Sequence, residues 1–160
     1  MSTEASTQAP TPADSLANEF SALNRLHDLL QKEQTALTKG VVDSLPELIR
    51  AKGFLISEIT VLADARHQLL VAAGLTASED SMQSWIDSTS TPAQKQTWSD
   101  LLALATAVKE LNRLNGILIN KQMQTNQQLM SLFEGAAGNN FYGPDGQSNI
   151  KASARKFGAA

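Results

Sequence analysis

The chain has 160 residues, a net charge of −3, 5% aromatic residues and no cysteine, enough for one domain with a real core. Without cysteine there is no disulfide framework and no thiolate metal or redox site, which fits a reducing, cytoplasmic compartment. The acidic balance argues against nucleic acid as a partner, and the scarcity of aromatics, with Pro and Gly mostly outside the apolar-periodic stretches, points to an all-α fold.

Residues 1–12 are rich in Ser, Thr, Ala, Pro and Gln and would bury too little surface to offset ordering, so a disordered leader is expected there. They lack the basic and apolar regions of a signal peptide. A helical domain is expected over 13–134, opening at Asp14 as N-cap. Leu16, Leu23, Leu30 and Leu37 recur every seven residues, with Phe20, Leu26 and Leu29 on the same face, up to a left-handed cap at Gly40.

Ser44-Leu-Pro-Glu47 reads as a capping box with proline in the first turn. The second helix then carries Leu45, Leu48, Lys52, Leu55, Ile59, Leu62, Arg66, Leu69 and Ala73 at alternating spacings of three and four. Ile49, Ile56 and Leu70 widen that stripe as far as Gly74. Thr76-Ala-Ser-Glu79 reads as a second capping box, opening a short linker helix with Met82, Trp85 and Ile86 on one side.

Thr91-Pro-Ala-Gln94 repeats this start signal, and no strong break follows until Gly135, so the last helix should run ~60 Å. Seven-residue repeats with short connections predict an elongated antiparallel hairpin or three-helix, coiled-coil-like bundle. Residues 135–160, rich in Gly and Asn at their start, are expected to form a flexible tail that carries Lys151, Arg155 and Lys156.

No catalytic residue, metal site or cofactor is expected. Asp64-x-x-His67 puts two ligand types on one helix face, but a carboxylate-bridged metal bundle needs a second such motif. The residues after His67 lack the Lys and Gly of a histidine phosphotransfer site. There is no nucleophile elbow and no phosphate-cradling glycine loop. No apolar run approaches the ~18 residues of a membrane span, so no direct membrane insertion is expected.

Trp85 and Trp98 bracket the linker and are expected to pin the short helix onto the end of the hairpin. From Leu111 to Phe133 the pattern changes. Asn112, Asn115, Asn120, Gln122, Gln124, Asn126, Gln127 and Gln128 interrupt an apolar set that includes Leu111, Leu114, Leu118, Ile119 and Met123. Core packing and capture of a partner's amphipathic helix both fit such a face.

These motifs together resemble the FlgN family of flagellar export chaperones. The resemblance covers about Leu16 to Gly146. It rests on Leu-x-x-Leu-x-x-Leu-Leu-x-x-Glu over Leu23 to Glu33, the second helix around Leu48 to Leu62, and Trp98. Further along, Leu111-Asn-x-x-Asn-Gly-x-Leu-Ile119 and Tyr142-Gly-Pro-Asp-Gly146 add to it.

The resemblance implies a non-enzymatic cytoplasmic chaperone that binds the amphipathic C-terminal segments of the hook-filament junction proteins. It would prevent their premature association and deliver them to the membrane protein of the flagellar type III export gate. By position, client contact would fall to Leu111, Leu114, Asn115, Leu118, Ile119, Met123, Leu129, Met130 and Phe133, and gate docking to Phe141 and Tyr142. The competing class is a structural, self-assembling coiled-coil protein, against which Asn112, Asn115 and Asn126 count because they intrude on a strict apolar seam.

Overall fold

A computed structural model describes residues 9–141, with side chains described through residue 136. Four helices and no strand occur among these residues: α1 Leu16–Lys39, α2 Leu45–Ala72, α3 Glu79–Thr89 and α4 Pro92–Phe141. The protein is all-α. The chain divides into two units, residues 1–118 and 119–160, so α4 contributes to both.

In the first unit, α1 and α2 form an antiparallel hairpin. Arg66 on α2 pairs with Glu19 on α1, and Lys52 on α2 pairs with Glu33 on α1. The acids and the bases are each fourteen residues apart, four turns on both helices, so the two pairs define one antiparallel register. The exposed Arg25–Glu58 pair lies between them.

The first stretch of α4 runs parallel to α1. Trp98 and Leu101 share a buried cluster with Leu16, Val108 shares a second with Leu23, Leu26 and Leu30, and Asn115 reaches Leu30. α3 adds Met82 and Ile86 to the first cluster, and half-buried Trp85 packs against it. The Trp98 indole N–H donates to Gln83 Oε1 at 2.8 Å. The tryptophans therefore fasten α3 at the hairpin end, as their positions predict.

The helix ends show where local grammar holds. Gly40 (φ 68°) and Gly74 (φ 82°) take the left-handed conformation that closes α1 and follows α2. Thr91 and Gln94 form the expected reciprocal capping box: the Thr91 N–H donates to Gln94 Oε1 (2.9 Å) and the Gln94 N–H to Thr91 Oγ1 (3.3 Å).

Three starts differ from expectation. Asp14 does not cap α1. Its carboxylate accepts from the Thr11 hydroxyl (2.7 Å) and backbone N–H (2.8 Å) in the preceding turn, and these bonds, the hydroxyl's foremost, hold its pKa below the ordinary value. That turn places Ala13 in the core and buries Pro12, so order begins ahead of residue 13. The remainder of the expected leader, residues 1–8, lies outside the described residues.

Ser44 precedes α2 in a helical conformation (φ −83°, ψ −15°) and makes no side-chain cap bond, because capping requires an extended residue that aims its oxygen back at the first turn. Ser78 rather than Thr76 caps α3. It is extended and accepts from the Ser81 N–H at 3.1 Å, which frees Glu79 for other partners.

The end of α4 also differs. No break occurs at Gly135, and the helix continues to Phe141, giving 50 residues and about 75 Å. Gly in a helix costs about 1 kcal/mol relative to Ala without forbidding the conformation, and Ala136 and Ala137 follow it directly. The first seven residues assigned by sequence to a flexible tail are helical. The rest, 142–160, lie outside the described residues.

Candidate partner-binding face

Arg66, at the α3 end of the hairpin, is 3% exposed. Its Nε donates to both oxygens of buried Glu19 (3.1 and 3.2 Å) and its Nη2 to Glu79 Oε1 (3.1 Å), while its guanidinium carbon lies 5.1 Å from the centre of the Trp98 ring. One cation thus joins α1, α2, α3 and α4. His67 Nε2 lies 3.2 Å from the same Glu79 oxygen.

Further along the hairpin, fully buried Glu33 accepts from Lys52 Nζ at 2.9 and 3.2 Å. Lys52 also approaches Asn112 Oδ1 at 3.4 Å. Asn115, also without exposed surface, donates from Nδ2 to the Leu30 carbonyl (2.9 Å) and to Glu33 Oε2 (2.8 Å), while its Oδ1 accepts no hydrogen bond.

This polar layer corrects the sequence reading at Asn115. The residue belongs to the core of the first unit and offers no surface to a partner. Leu111 is half-buried against the second cluster. Leu118 is half-buried and Leu114 is exposed.

The second unit presents a different surface. Ile119 is half-buried, and every residue from Met123 to Ala136 is exposed, including Met123, Leu129, Met130 (62%), Leu132 and Phe133 (71%). Ile119, Met123, Asn126, Met130 and Phe133 follow at spacings of four, three, four and three, one continuous helical face, with Leu129 beside it. Exposed Leu132 falls off that face and was not singled out by sequence. Phe141 is the last described residue of α4, its side chain outside the described set, and Tyr142 lies outside the described residues.

Other exposed apolar side chains include Ile49, Phe54, Ile56, Val61 and Val71 on α2 and Ile117 on α4. The α2 stripe read from sequence is only partly covered: Arg66 and Leu70 are its buried members. The buried ion pairs are the polar core contacts that sequence reasoning passed over. Their signal was present in Lys52 and Arg66, two cations on an apolar stripe, each matched by an acid at the same fourteen-residue spacing on α1.

Among the described residues no helix is long and apolar enough to cross a membrane, and no group of three His, Cys, Asp or Glu side chains gathers as a metal set. The described structure therefore has two prominent features: a packed hairpin with internal ion pairs, and a solvent-facing amphipathic helix segment.

Comparison with known proteins agrees with the family named from sequence. The family model described as FlgN protein matches residues 1–150. A flagella synthesis protein FlgN from Proteus mirabilis is 27% identical over 132 residues, covering 81% of this chain and 84% of the relative. Its counterpart from Yersinia enterocolitica is 22% identical over 135 residues, covering 83% and 86%. No solved structure is a significant match. With the family model spanning nearly all of it, the chain belongs to the FlgN family.

Proposed function

We propose that this protein is a cytoplasmic chaperone of flagellar type III export. It binds the amphipathic C-terminal segments of the hook-filament junction proteins, keeps them from associating prematurely and delivers them to the export-gate membrane protein. The observation that carries this reading is the run Met123 to Ala136. All fourteen residues are exposed, yet five are large and apolar. An amphipathic helix with an uncovered apolar face is suited to pairing with another.

Ile119, Met123, Leu129, Met130 and Phe133 form the client contact, with Leu118 and Leu114 at its N-terminal margin. Leu111 acts only through packing, and Asn115 is withdrawn from the set because its amide is engaged in the core. Phe141 and Tyr142 are assigned to docking at the gate. Covering a client's apolar face suppresses its self-association by occupying the same surface. The mechanism requires no cofactor and no bond making.

The test is calorimetric titration of the protein with peptides from the C-terminal ends of the two junction proteins. Saturable one-to-one binding is expected. Met130→Asp and Phe133→Asp should each weaken it roughly thirtyfold, since burying such a side chain contributes about 2 kcal/mol, with helicity unchanged.

The seven-residue spacing of Met123 and Met130 also suits a self-assembling coiled coil. Absence of peptide binding, together with concentration-dependent association that Phe133→Asp abolishes, would replace the chaperone reading with that one.

A further inference from the structure

We propose that Asn126 sets the register of the bound client helix, by requiring a carboxamide side chain at one layer of the client's otherwise apolar stripe. The proposal rests on the client-binding reading of the α4 face and adds the feature that selects among amphipathic helices.

The precedent lies within the molecule. Asn115 is eleven residues before Asn126, three helical turns, so the two side chains share one face of α4. At Asn115 the neighbouring helix is α1, whose apolar stripe of Leu23, Leu26, Leu30 and Leu37 is interrupted by Glu33. Glu33 and the Leu30 carbonyl take both protons of the Asn115 amide. A leucine at position 33 would leave one N–H of a fully buried amide without a partner, which costs more than an ordinary hydrogen bond contributes. A polar residue on α4 is thus matched by a polar residue at one position of an apolar partner stripe.

Asn126 repeats this arrangement on the uncovered part of the face. It is exposed, with Met123 and Ile119 before it and Met130 and Phe133 after it. A helix that covers these four apolar side chains also covers the amide between them. A single polar position within an apolar seam fixes register, because sliding by one heptad would set the amide against an alkyl chain.

The matching group differs from Glu33 in charge. Glu33 is neutralised by Lys52 from α2. Residues 119–136 contain one cation, Lys121, which stands on the opposite side of the helix from the apolar face, and one acid, Glu134. With no cation on the face, a buried carboxylate would be uncompensated. A carboxamide accepts from Asn126 Nδ2 and donates to its Oδ1 without introducing charge.

The full-length protein can be tested with two fluorescein-labelled 21-residue synthetic helices having a leucine seam. One carries Gln at the central seam position and the other Leu, with all else the same. Fluorescence anisotropy at nanomolar peptide should show roughly tenfold tighter binding of the Gln peptide. Asn126→Leu should abolish or invert this preference while leaving melting temperature and helicity unchanged. Equal affinities for the wild-type protein, or an undiminished preference in Asn126→Leu, would overturn the register role and leave client binding standing. Failure of both synthetic helices and of the junction-protein peptides to bind would overturn the two readings together.

Discussion

At the scale of single residues, the most consequential side chains are the charged ones inside the hairpin. Arg66 and Glu19 are almost entirely removed from water, so each depends on the other for the solvation it has lost. Arg66→Ala should destabilise the protein by about 3 kcal/mol in urea unfolding, because Glu19 remains buried without its counterion. Combining Arg66→Met with Glu19→Leu should recover most of that loss, since an apolar pair of similar volume needs no solvation. If the double variant were no more stable than Arg66→Ala, the ion pair would not be the source of the effect. These residues were visible in the sequence only as cations on an apolar stripe. That pattern alone does not say which helix supplies the acid.

At the scale of the helix, terminal glycines and an internal glycine have opposite roles. Gly74 adopts φ 82°, where a side chain is strained, while Gly135 has helical φ and open space where a Cβ would stand. Gly74→Ala should therefore cost about 1 kcal/mol of global stability. Gly135→Ala should strengthen the end of α4 by up to about 1 kcal/mol, read as slower amide hydrogen exchange over residues 130–140. Faster exchange in Gly135→Ala would mean that the glycine ends the helix after all. Sequence placed the element starts within a few residues and read the Thr91–Gln94 cap correctly, but misjudged the capping side chain at the other three starts. The Ser-x-x-Glu pattern at Ser44 matches a capping box, yet the residue's backbone is already helical and its hydroxyl cannot reach the first turn.

At the scale of the molecule, residues 1–118 form a compact unit with two buried clusters and both internal ion pairs. The exposed residues from Met123 onward take part in neither cluster. A chain ending at Gln124 should therefore keep the unfolding free energy of the full protein, read in urea, within about 0.5 kcal/mol and lose binding to junction-protein peptides. Retained binding would move client contact away from the end of α4. A large fall in stability would show that this segment contributes to folding.

The sequence by itself determined that the protein is helical, where its helices lie and which family it belongs to. Apolar spacing, capping residues and glycines act locally, and the family motifs are linear. Only the tertiary structure decided how the mixed face of α4 is divided. Leu111 and Asn115 have α1 beside them, whose Leu30 carbonyl and Glu33 carboxylate satisfy the asparagine amide. Met130 and Phe133 have the same kind of spacing and remain in solvent. Periodicity records which residues share a face. Whether a given stretch of that face is buried or solvent-facing depends on a neighbour that only the fold supplies, and at Asn115 that neighbour is α1.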